Sequence, residues 1–394
     1  MSWRYLKIED FCSTGSGGTP SKSKPEYYEG GDIPWIKSGD LKDSTIYDAN
    51  EYITVAGLEN SSAKIVEKDS ILIAMYGATV GRLAILGINA ATNQAICNIR
   101  PDTTIADMKY LYYFLKSKFS YFVENAVGGA QPNISQGLIK SLEVPLPSLS
   151  EQKRIADILD KADGIRQKRE QTIKLADDFL RATFLEMFGD PVENPKGWKK
   201  DKIKKGVLDI TSGWSATGEN IPCKSNEFGV LKISSVTSGV FKPEENKVVD
   251  FKIIPASKKL ILPKKGDLLF SRANTRELVA AICMVHQDYD NLFIPDKLWS
   301  IKLNHELLLP EFFLILIQNE KVRELLTKQA TGTSGSMLNI SKSKFEETEI
   351  IFPEINVQKD FCNAFRKTTN LKIKLIKSNE LTNESFNSLS KKVF

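Results

Sequence analysis

The sequence predicts a mixed α/β protein in which two globular domains, related by internal duplication, are separated by two long helices forming an antiparallel coiled coil. The chain has 394 residues, which is too long for one ordinary domain. Its two halves resemble each other, and each half ends in a long stretch with helical periodicity. The predicted segments are residues 1–147 for the first domain, 148–189 for the first helix, 190–353 for the second domain with a linker at 190–197, and 354–394 for the second helix.

The duplication is visible as short matching segments at a nearly constant spacing. Ser-Leu-Ser-Glu-Gln-Lys at 148–153 matches Glu-Ile-Asn-Val-Gln-Lys at 354–359 with an offset of 206, and Asn-Ile-Ser at 133–135 recurs at 339–341 with the same offset. Further towards the N-terminus the offset falls to 202 and then to 195. This drift indicates loop insertions between equivalent elements, so each half is predicted to be one domain followed by one helix.

Both helices are predicted from apolar heptads. Ser148 and Glu151 form a predicted capping box at the first helix start, and Gly189 marks its end. Because a helix is stabilised by packing its apolar face, the two helices are expected to pack on each other, and an approximate twofold axis would make them antiparallel. The positions predicted to lie at the coil interface or at a subunit interface are Ile155, Ile158, Ile165, Phe179, Phe361, Leu371 and Leu375.

The alternative is that these are ordinary surface helices, each packing on its own domain. Length argues against it, because about 39 residues at 1.5 Å each reach roughly 58 Å, more than a domain of this size needs.

The usual catalytic motifs are missing. His286 and His305 are the only histidines, which excludes a histidine-based triad or histidine metal site in both halves. No nucleotide-binding GxxxxGK[ST] loop is present, and five scattered cysteines form no CxxC pair. We therefore predict no catalytic residue, no metal site and no bound cofactor in this chain.

Charge and hydropathy limit the classes of partner. The net charge is +5, with the basic excess in the second half, so any phosphate contact must come from local patches. The N-terminus lacks the apolar core of a signal peptide, and the best apolar run, at 307–317, is broken by Pro310 and Glu311. We expect a cytoplasmic protein without membrane contact.

The repeated segments resemble the specificity subunits of type I restriction-modification systems. The resemblance lies in Pro-Leu-Pro-Ser-Leu-Ser-Glu-Gln-Lys-Arg-Ile at 145–155, Met-Phe-Gly-Asp-Pro at 187–191 with Asn-Pro-Lys-Gly-Trp at 194–198, and Phe-Pro-Glu-Ile-Asn-Val-Gln-Lys at 352–359. The motifs at the helix start and at the junction after it are specific, whereas the globular domains match only in general pattern.

This resemblance implies a DNA-reading role without catalysis. Each globular domain would be a target-recognition domain for one half of a split, asymmetric site in double-stranded DNA, and the helices would fix the unread gap. Two modification subunits carrying S-adenosylmethionine would methylate adenines. Two restriction subunits, using ATP and Mg²⁺, would translocate and cleave DNA.

Candidate DNA contacts are Arg, Lys, Asn and Gln side chains in loops, because these types donate or accept in the pairs that base edges present. The Arg-Ala-Asn-Thr-Arg segment at 272–276 is the strongest, while any single lysine fits a solvated surface equally. The glycine-rich loops at 128–133 and 331–339 are read either as plain turns or as sites of close backbone approach. The candidates are Lys22, Lys24, Lys37, Arg82, Gln131 and Asn133 in the first domain, and Lys232, Arg272, Asn274, Arg276, Asn339, Lys342 and Lys344 in the second.

Two other functions stay open from the sequence. One is a duplicated scaffold or adaptor that binds only proteins. The other is an autonomous DNA-binding regulator that needs no partner subunit.

Overall fold

The computed structural model of the protein describes residues 3–332 and 337–394. The central part of the predicted glycine-rich loop at 331–339 therefore lies outside the described residues. Among the described residues, no helix combines the length and apolar character needed to cross a membrane.

The first half of the chain alternates short strands with short helices and then enters one long helix. Its strands are β1 Arg4–Lys7, β2 Cys12–Ser16, β3 Ile33–Ile36, β4 Thr45–Ile46, β5 Glu51–Ile53, β6 Ile65–Val66, β7 Ile71–Ala74, β8 Leu83–Leu86, β9 Ala90–Thr92, β10 Ile96–Pro101 and β11 Glu143–Leu146. Its helices are α1 Ile8–Phe11, α2 Val55–Glu59, α3 Met108–Ser117, α4 Phe119–Glu124, α5 Gln136–Lys140 and α6 Leu149–Phe188.

The second half repeats this order. Its strands are β12 Lys200–Lys202, β13 Val207–Ser212, β14 Phe228–Leu231, β15 Asn246–Val249, β16 Leu268–Ser271, β17 Ala273–Asn274, β18 Ile282–Met284, β19 Leu292–Phe293, β20 Leu298–Leu303, β21 Leu338–Asn339 and β22 Glu349–Ile351. Its helices are α7 Ile203–Gly206, α8 Ser234–Thr237, α9 Pro310–Gln318, α10 Glu320–Lys328, α11 Lys342–Glu347 and α12 Ile355–Val393.

The chain divides into two compact units, and each contains one globular domain with parts of both long helices. Unit 1 comprises Met1–Gln171 and Ile376–Phe394, and unit 2 comprises Thr172–Leu375. The long helices therefore do not form a separate body. Their starts at Leu149 and Ile355 each lie one residue after the predicted helix boundary.

Unit 1 is built on a five-stranded sheet of order β2-β10-β7-β8-β4 and a four-stranded sheet of order β5-β3-β9-β6. In β7 every side chain is buried: Ile71 and Ile73 pack in one core cluster, whereas Leu72 packs in another. Successive strand side chains point to opposite faces, so this uninterrupted apolar run predicts a strand covered on both faces.

Unit 2 has the same topology. Its main sheet has the order β13-β20-β16-β18, which corresponds to β2-β10-β7-β8, and a second sheet has the order β15-β14-β19, which corresponds to β5-β3-β9. The pairing of β14 with β19 is parallel, as is that of β3 with β9. Leu268 and Phe270 of β16 face one core cluster and Leu269 another, as in β7. The predicted internal duplication is thus present in the strand order.

One glutamine secures the start of each long helix to its own domain. Gln152 is fully buried; its Oε1 accepts from the Asp107 N–H (2.9 Å), and its Nε2 donates to the carbonyls of Ile105 (3.1 Å) and Pro147 (2.9 Å). Buried backbone groups need such partners, so the Glu-Gln-Lys segment is constrained by hydrogen bonding.

Gln358 makes the same three bonds in unit 2. It accepts from the Leu309 N–H (2.9 Å) and donates to the carbonyls of Leu307 (2.9 Å) and Pro353 (2.8 Å). The Gln-Lys dipeptide that revealed the repeat is therefore a structural feature of both helix starts.

The long helices are antiparallel within each unit, as predicted. In unit 2, Asp177 of α6 pairs with Lys372 of α12 at 2.6 Å, and Phe184 lies against Phe361 with ring centroids 5.6 Å apart. The residue number falls along α12 as it rises along α6, which requires opposite directions. In unit 1, Arg169 Nη1 donates to the Ser378 carbonyl at 2.9 Å.

The predicted register of the helix seam needs correction. Ile158, Ile165, Phe179 and Leu371 are 41%, 47%, 55% and 51% exposed, so their prediction as packing positions within this chain is wrong. Ile155 and Phe361 are buried and Leu375 is half-buried. The apolar side chains that α6 buries are Ile155, Ala156, Leu159, Ala176, Leu180, Phe184 and Phe188.

Candidate DNA interface

Two short strands gather the strongest candidates of the second domain. β17, which ends at Asn274, pairs antiparallel with β21, which ends at Asn339. The guanidinium of Arg272 donates from Nε to the Asp296 carbonyl (2.9 Å) and from Nη1 to Asn339 Oδ1 (2.9 Å). The structure thus brings Asn339 to Arg272 and Asn274, although Asn339 lies more than sixty residues further along the chain.

These contacts define what the cluster offers a ligand. Arg272 has five N–H donors, of which two are bonded within the domain. Asn339 accepts from Arg272 through Oδ1, which leaves its amide nitrogen as a donor. Asn274 Oδ1 accepts from the Thr275 N–H (2.8 Å). The cluster is therefore rich in fixed donors, as a surface for base edges requires.

Arg276 lies at the exposed edge of the same segment, beside a cavity of about 450 Å³. Both acidic and basic side chains line this cavity. Burial lowers the pKa of Arg323, which donates to the Val279 carbonyl at 3.2 Å. The lining side chains are Arg276, Glu277, Glu320, Arg323, Glu324, Thr327 and Lys328.

Lys342 and Lys344 are exposed residues near the start of α11, and their ammonium groups are already engaged. Lys342 Nζ donates to the Ile210 carbonyl at 3.1 Å, and Lys344 Nζ donates to the Gln329 carbonyl at 2.8 Å. Both lysines thus hold neighbouring backbone in place, and any DNA contact would compete with these bonds.

Lys37 and Lys232 follow equivalent strands, β3 and β14. Lys37 is ion-paired with Glu51, and its ammonium lies 6.0 Å from the Trp35 ring centroid. Lys232 is half-buried. Its carbonyl accepts from the hydroxyl of Ser235 (2.7 Å). No described contact joins either lysine to the cluster around Arg272 or to its counterpart in the first domain.

In the first domain, Asn133, Gln131 and Arg82 come from adjoining loops. Asn133 exchanges two backbone hydrogen bonds with Val127, of 2.7 and 2.9 Å, and forms a bridge to Tyr76. Gln131 is exposed in a turn where Gly128 and Gly129 have φ values of +107° and +54°. Such positive φ values favour glycine, so the backbone conformation of this turn requires glycine at these two positions.

The turn after β7 completes this group of loops. The Gly77 N–H donates to the Pro132 carbonyl at 2.8 Å, and the chain returns to β7 through Gly81 and the exposed Arg82. Tyr76, which is 47% exposed at this place, was not among the predicted residues.

Lys22 and Lys24 lie in the exposed loop after β2. Lys24 Nζ donates to the Tyr27 hydroxyl at 2.9 Å, and this bond raises the pKa of Lys24. The lysine therefore keeps its charge at neutral pH. Lys22 and Lys24 have no described contact with the loops around Asn133.

Arg82 and Arg272 do not occupy equivalent positions in the two domains. Ala74 and Ser271 donate their N–H groups to the carbonyls of Arg82 and Ala281, respectively, at 2.9 and 2.8 Å. The counterpart of Arg82 is thus Ala281, and Arg272 occupies the place of Met75. The intervening turn is two residues longer in the second domain, which a fixed offset could not reveal.

Gln94 and Asp296 are two further polar residues at these clusters that the sequence pattern did not single out. Each lies in a turn between a strand of the smaller sheet and a strand of the main sheet, and that turn bonds to the backbone at Met75 or Arg272. Neither turn has a glycine-rich or basic signature, so only comparison of the two domains identifies them.

The family described as type I restriction modification DNA specificity domain matches residues 2–175. The MjaIX specificity subunit of Methanocaldococcus jannaschii is 29% identical over 258 residues, covering 60% of this chain and 59% of that protein. The EcoR124I/EcoR124II specificity subunit of Escherichia coli is 34% identical over 154 residues, or 38% of each protein. The chain thus spans between about a third and three fifths of these two relatives.

Similarity also extends over nearly the whole chain. The MjaVIII specificity subunit of M. jannaschii is 24% identical over 388 residues, covering 94% of this chain and 86% of that protein. A solved S subunit of a type I restriction-modification system from M. genitalium has the same fold, with a TM-score of 0.61 at 16% identity, covering 100% of this chain and 96% of that one. Together with the duplicated domains and the paired helices, these matches show that the chain is similar over nearly its whole length to specificity subunits of type I restriction-modification systems, and that residues 2–175 match their DNA specificity domain.

Proposed function

We propose that this chain reads the two halves of a split, asymmetric site in double-stranded DNA. The observation that carries the proposal is that one cluster of loops is built twice on the same backbone pattern, with one asparagine shared and the neighbouring side chains changed. Met75, Tyr76 and Asn133 form it in the first domain, and Arg272, Ala273 and Asn339 form it in the second. A pair of readers for different sequences needs a constant frame with variable donors and acceptors.

The chemistry of the reaction would belong to partner subunits. Relatives of this chain are named specificity subunits of type I restriction enzymes, which supports a role in DNA recognition for this chain. We infer that two modification subunits bring S-adenosylmethionine and methylate adenines. Restriction subunits would add cleavage driven by ATP with Mg²⁺, and the complex would act in the cytoplasm.

Exposed apolar side chains on the long helices fit the docking of such partners. In unit 1, Ile158 and Ile165 are seven residues apart on α6 and are 41% and 47% exposed. In unit 2, Phe179 of α6 and Leu371 of α12 are 55% and 51% exposed. An apolar face that a helix leaves in water is typical of a protein interface. These four half-exposed residues are thus proposed partner contacts.

DNA binding over a series of salt concentrations tests the proposal. The purified complex with modification subunits from the same operon is titrated with DNA fragments that carry a randomised site. We expect log K to fall linearly with log salt, because phosphate contacts release counterions, and a two-part motif to be enriched. The chain alone should incorporate no methyl group from labelled S-adenosylmethionine.

Two results would redirect the assignment. Assembly with partner proteins but no DNA binding at any salt concentration would favour the scaffold or adaptor. Selection of the full motif by the chain alone, at the affinity of the complex, would favour an autonomous regulator.

A further inference from the structure

Gln94 and Asp296 occupy the same position in equivalent turns. The Ile96 N–H donates to the Asn93 carbonyl at 3.1 Å, and the Leu298 N–H donates to the Pro295 carbonyl at 3.1 Å. Each bond closes a four-residue turn, and its second residue is Gln94 in one domain and Asp296 in the other.

A close crossing of the backbone fixes both turns. Gly17 and Gly213 pass so near the strand before the turn that a Cβ atom would lie 1.9 Å from the carbonyl oxygen of Thr92 or Ile294. The residue after each glycine donates its N–H to that same carbonyl, at 2.8 Å for Gly18 and 3.0 Å for Trp214. Only glycine fits there, so the backbone frame is the same in both domains.

A hydroxyl group holds each side chain in the turn. The Thr19 hydroxyl donates to Gln94 Oε1, and the Ser215 hydroxyl donates to Asp296 Oδ1. Thr19 lies two residues after Gly17, and Ser215 lies two residues after Gly213. The side chains of Gln94 and Asp296 are therefore positioned before any ligand arrives, which reduces the entropy lost on binding.

Both turns are joined to the candidate DNA interface. The Met75 N–H donates to the Ala95 carbonyl at 2.7 Å, and the Arg272 N–H donates to the Lys297 carbonyl at 3.2 Å. In addition, Arg272 Nε donates to the carbonyl of Asp296 itself at 2.9 Å. Asp296 thus lies beside Arg272, whose guanidinium also donates to Asn339.

A carboxylate at this place discriminates between two kinds of DNA contact. Beside a phosphate it would be repelled, so it opposes simple backbone binding. Towards a base edge it accepts from an exocyclic amino group, which cytosine presents as N4 and adenine as N6. Asp296 Oδ2 has no hydrogen-bond partner among residues 3–332 and 337–394, and is available to accept. The amide of Gln94 both donates and accepts, which matches N7 and N6 of adenine.

We propose that Gln94 and Asp296 are equivalent base-reading residues, one for each half-site, and that Asp296 selects a base with an exocyclic amino group. This inference rests on the proposed function. It adds which turn reads a base and which base chemistry the second domain accepts.

Asp296→Asn tests this proposal in the complex with modification subunits. The substitution keeps Oδ1 as the acceptor for Ser215 and replaces the second oxygen by a donor. We expect the enriched base at one position of one half-site to change from cytosine or adenine to guanine or thymine, with about tenfold weaker binding to the original site. The reciprocal variant Gln94→Glu should shift one position of the other half-site from adenine towards cytosine, because glutamate can accept from cytosine N4 but has no donor for adenine N7.

Asp288→Asn is the matched control, because it removes the same charge from an exposed residue of the same domain. It should leave the motif unchanged. If Asp296→Asn and Gln94→Glu both enrich the motif of the native complex, the two turns only hold the loops and the proposal is wrong. If the native complex enriches no motif, the proposed function itself is wrong, whatever the two variants do. Loss of one half-site in Asp296→Asn with the other retained would still support reading by this turn, provided that its thermal unfolding midpoint matches that of Asp288→Asn.

Discussion

At the scale of single residues, Gln152 and Gln358 connect the repeated sequence to the fold. Each is fully buried and bonds three backbone groups that would otherwise lack partners. An unsatisfied buried polar group costs about 1–3 kcal/mol, so one side chain outweighs most surface interactions. The segment is therefore constrained by stability in both halves.

Replacing Gln358 with Leu should destabilise unit 2 by about 3 kcal/mol or more, because a leucine of similar size leaves two carbonyls and one N–H unpaired. The thermal unfolding midpoint should fall, and the Leu309 amide should lose its protection from hydrogen exchange. Gln171→Leu replaces an exposed glutamine of α6 and should change stability by no more than about 0.5 kcal/mol. Equal midpoints for the two variants would show that the three bonds do not stabilise the helix start.

At this scale, the sequence predicted which residues belong to the candidate DNA interface better than it predicted their hydrogen-bond partners. The cluster of Arg272, Asn274 and Asn339 was foreseeable from residue chemistry in loops at equivalent offsets. The bond from Arg272 to Asn339 was not, because it depends on a strand pairing across 67 positions. Asp296 was not predicted, because an acidic residue in an ordinary turn belongs to no sequence motif that indicates DNA contact.

At the scale of elements, the long helices show that a heptad pattern predicts the presence of a helix better than it predicts which residues of that helix are buried. A straight α-helix has 3.6 residues per turn and drifts by about 20° per heptad from a strict 3.5 repeat. Leu159 and Leu180 are buried, whereas Ile158 and Phe179, one position earlier, are exposed. The choice between adjacent apolar residues depends on the neighbouring surfaces, which periodicity alone does not contain. Both helices, their starts and the antiparallel direction were nevertheless predictable.

The exposed apolar residues left by this register lead to a prediction about assembly. Phe179→Glu should weaken binding of a modification subunit by about tenfold or more, since truncating a central aromatic contact typically costs 2 kcal/mol or more. Folding should be unaffected, because Phe179 is already 55% exposed. Isothermal titration of the variant with the modification subunit gives the affinity.

Leu208→Glu provides the control for this substitution, as Leu208 is 71% exposed on β13, outside the long helices. It should assemble with native affinity. Native affinity for Phe179→Glu as well would remove Phe179 from the proposed docking surface.

At the scale of the whole molecule, duplication explains why one chain carries two similar units. Strand order, the glutamine bonds and the crossing at Gly17 and Gly213 recur, whereas the loop side chains differ. The features that the two units share were predictable from the matched sequence motifs. The differences in their loops were predictable only as changes in the offset between the matched segments. Selection for two different half-sites would produce this combination. That the helices set the unread gap stays a prediction.

Exchange of residues 1–145 for the equivalent segment of another family member tests the central claim most directly. The chimeric chain, assembled with its modification subunits, is used to select DNA from a pool with randomised half-sites and randomised spacing, and the enriched motif is sequenced. Independent reading predicts that one half-site changes to that of the donor protein while the other half-site stays as in the native complex. A motif altered in both half-sites, or in neither, would contradict two separate readers in one chain.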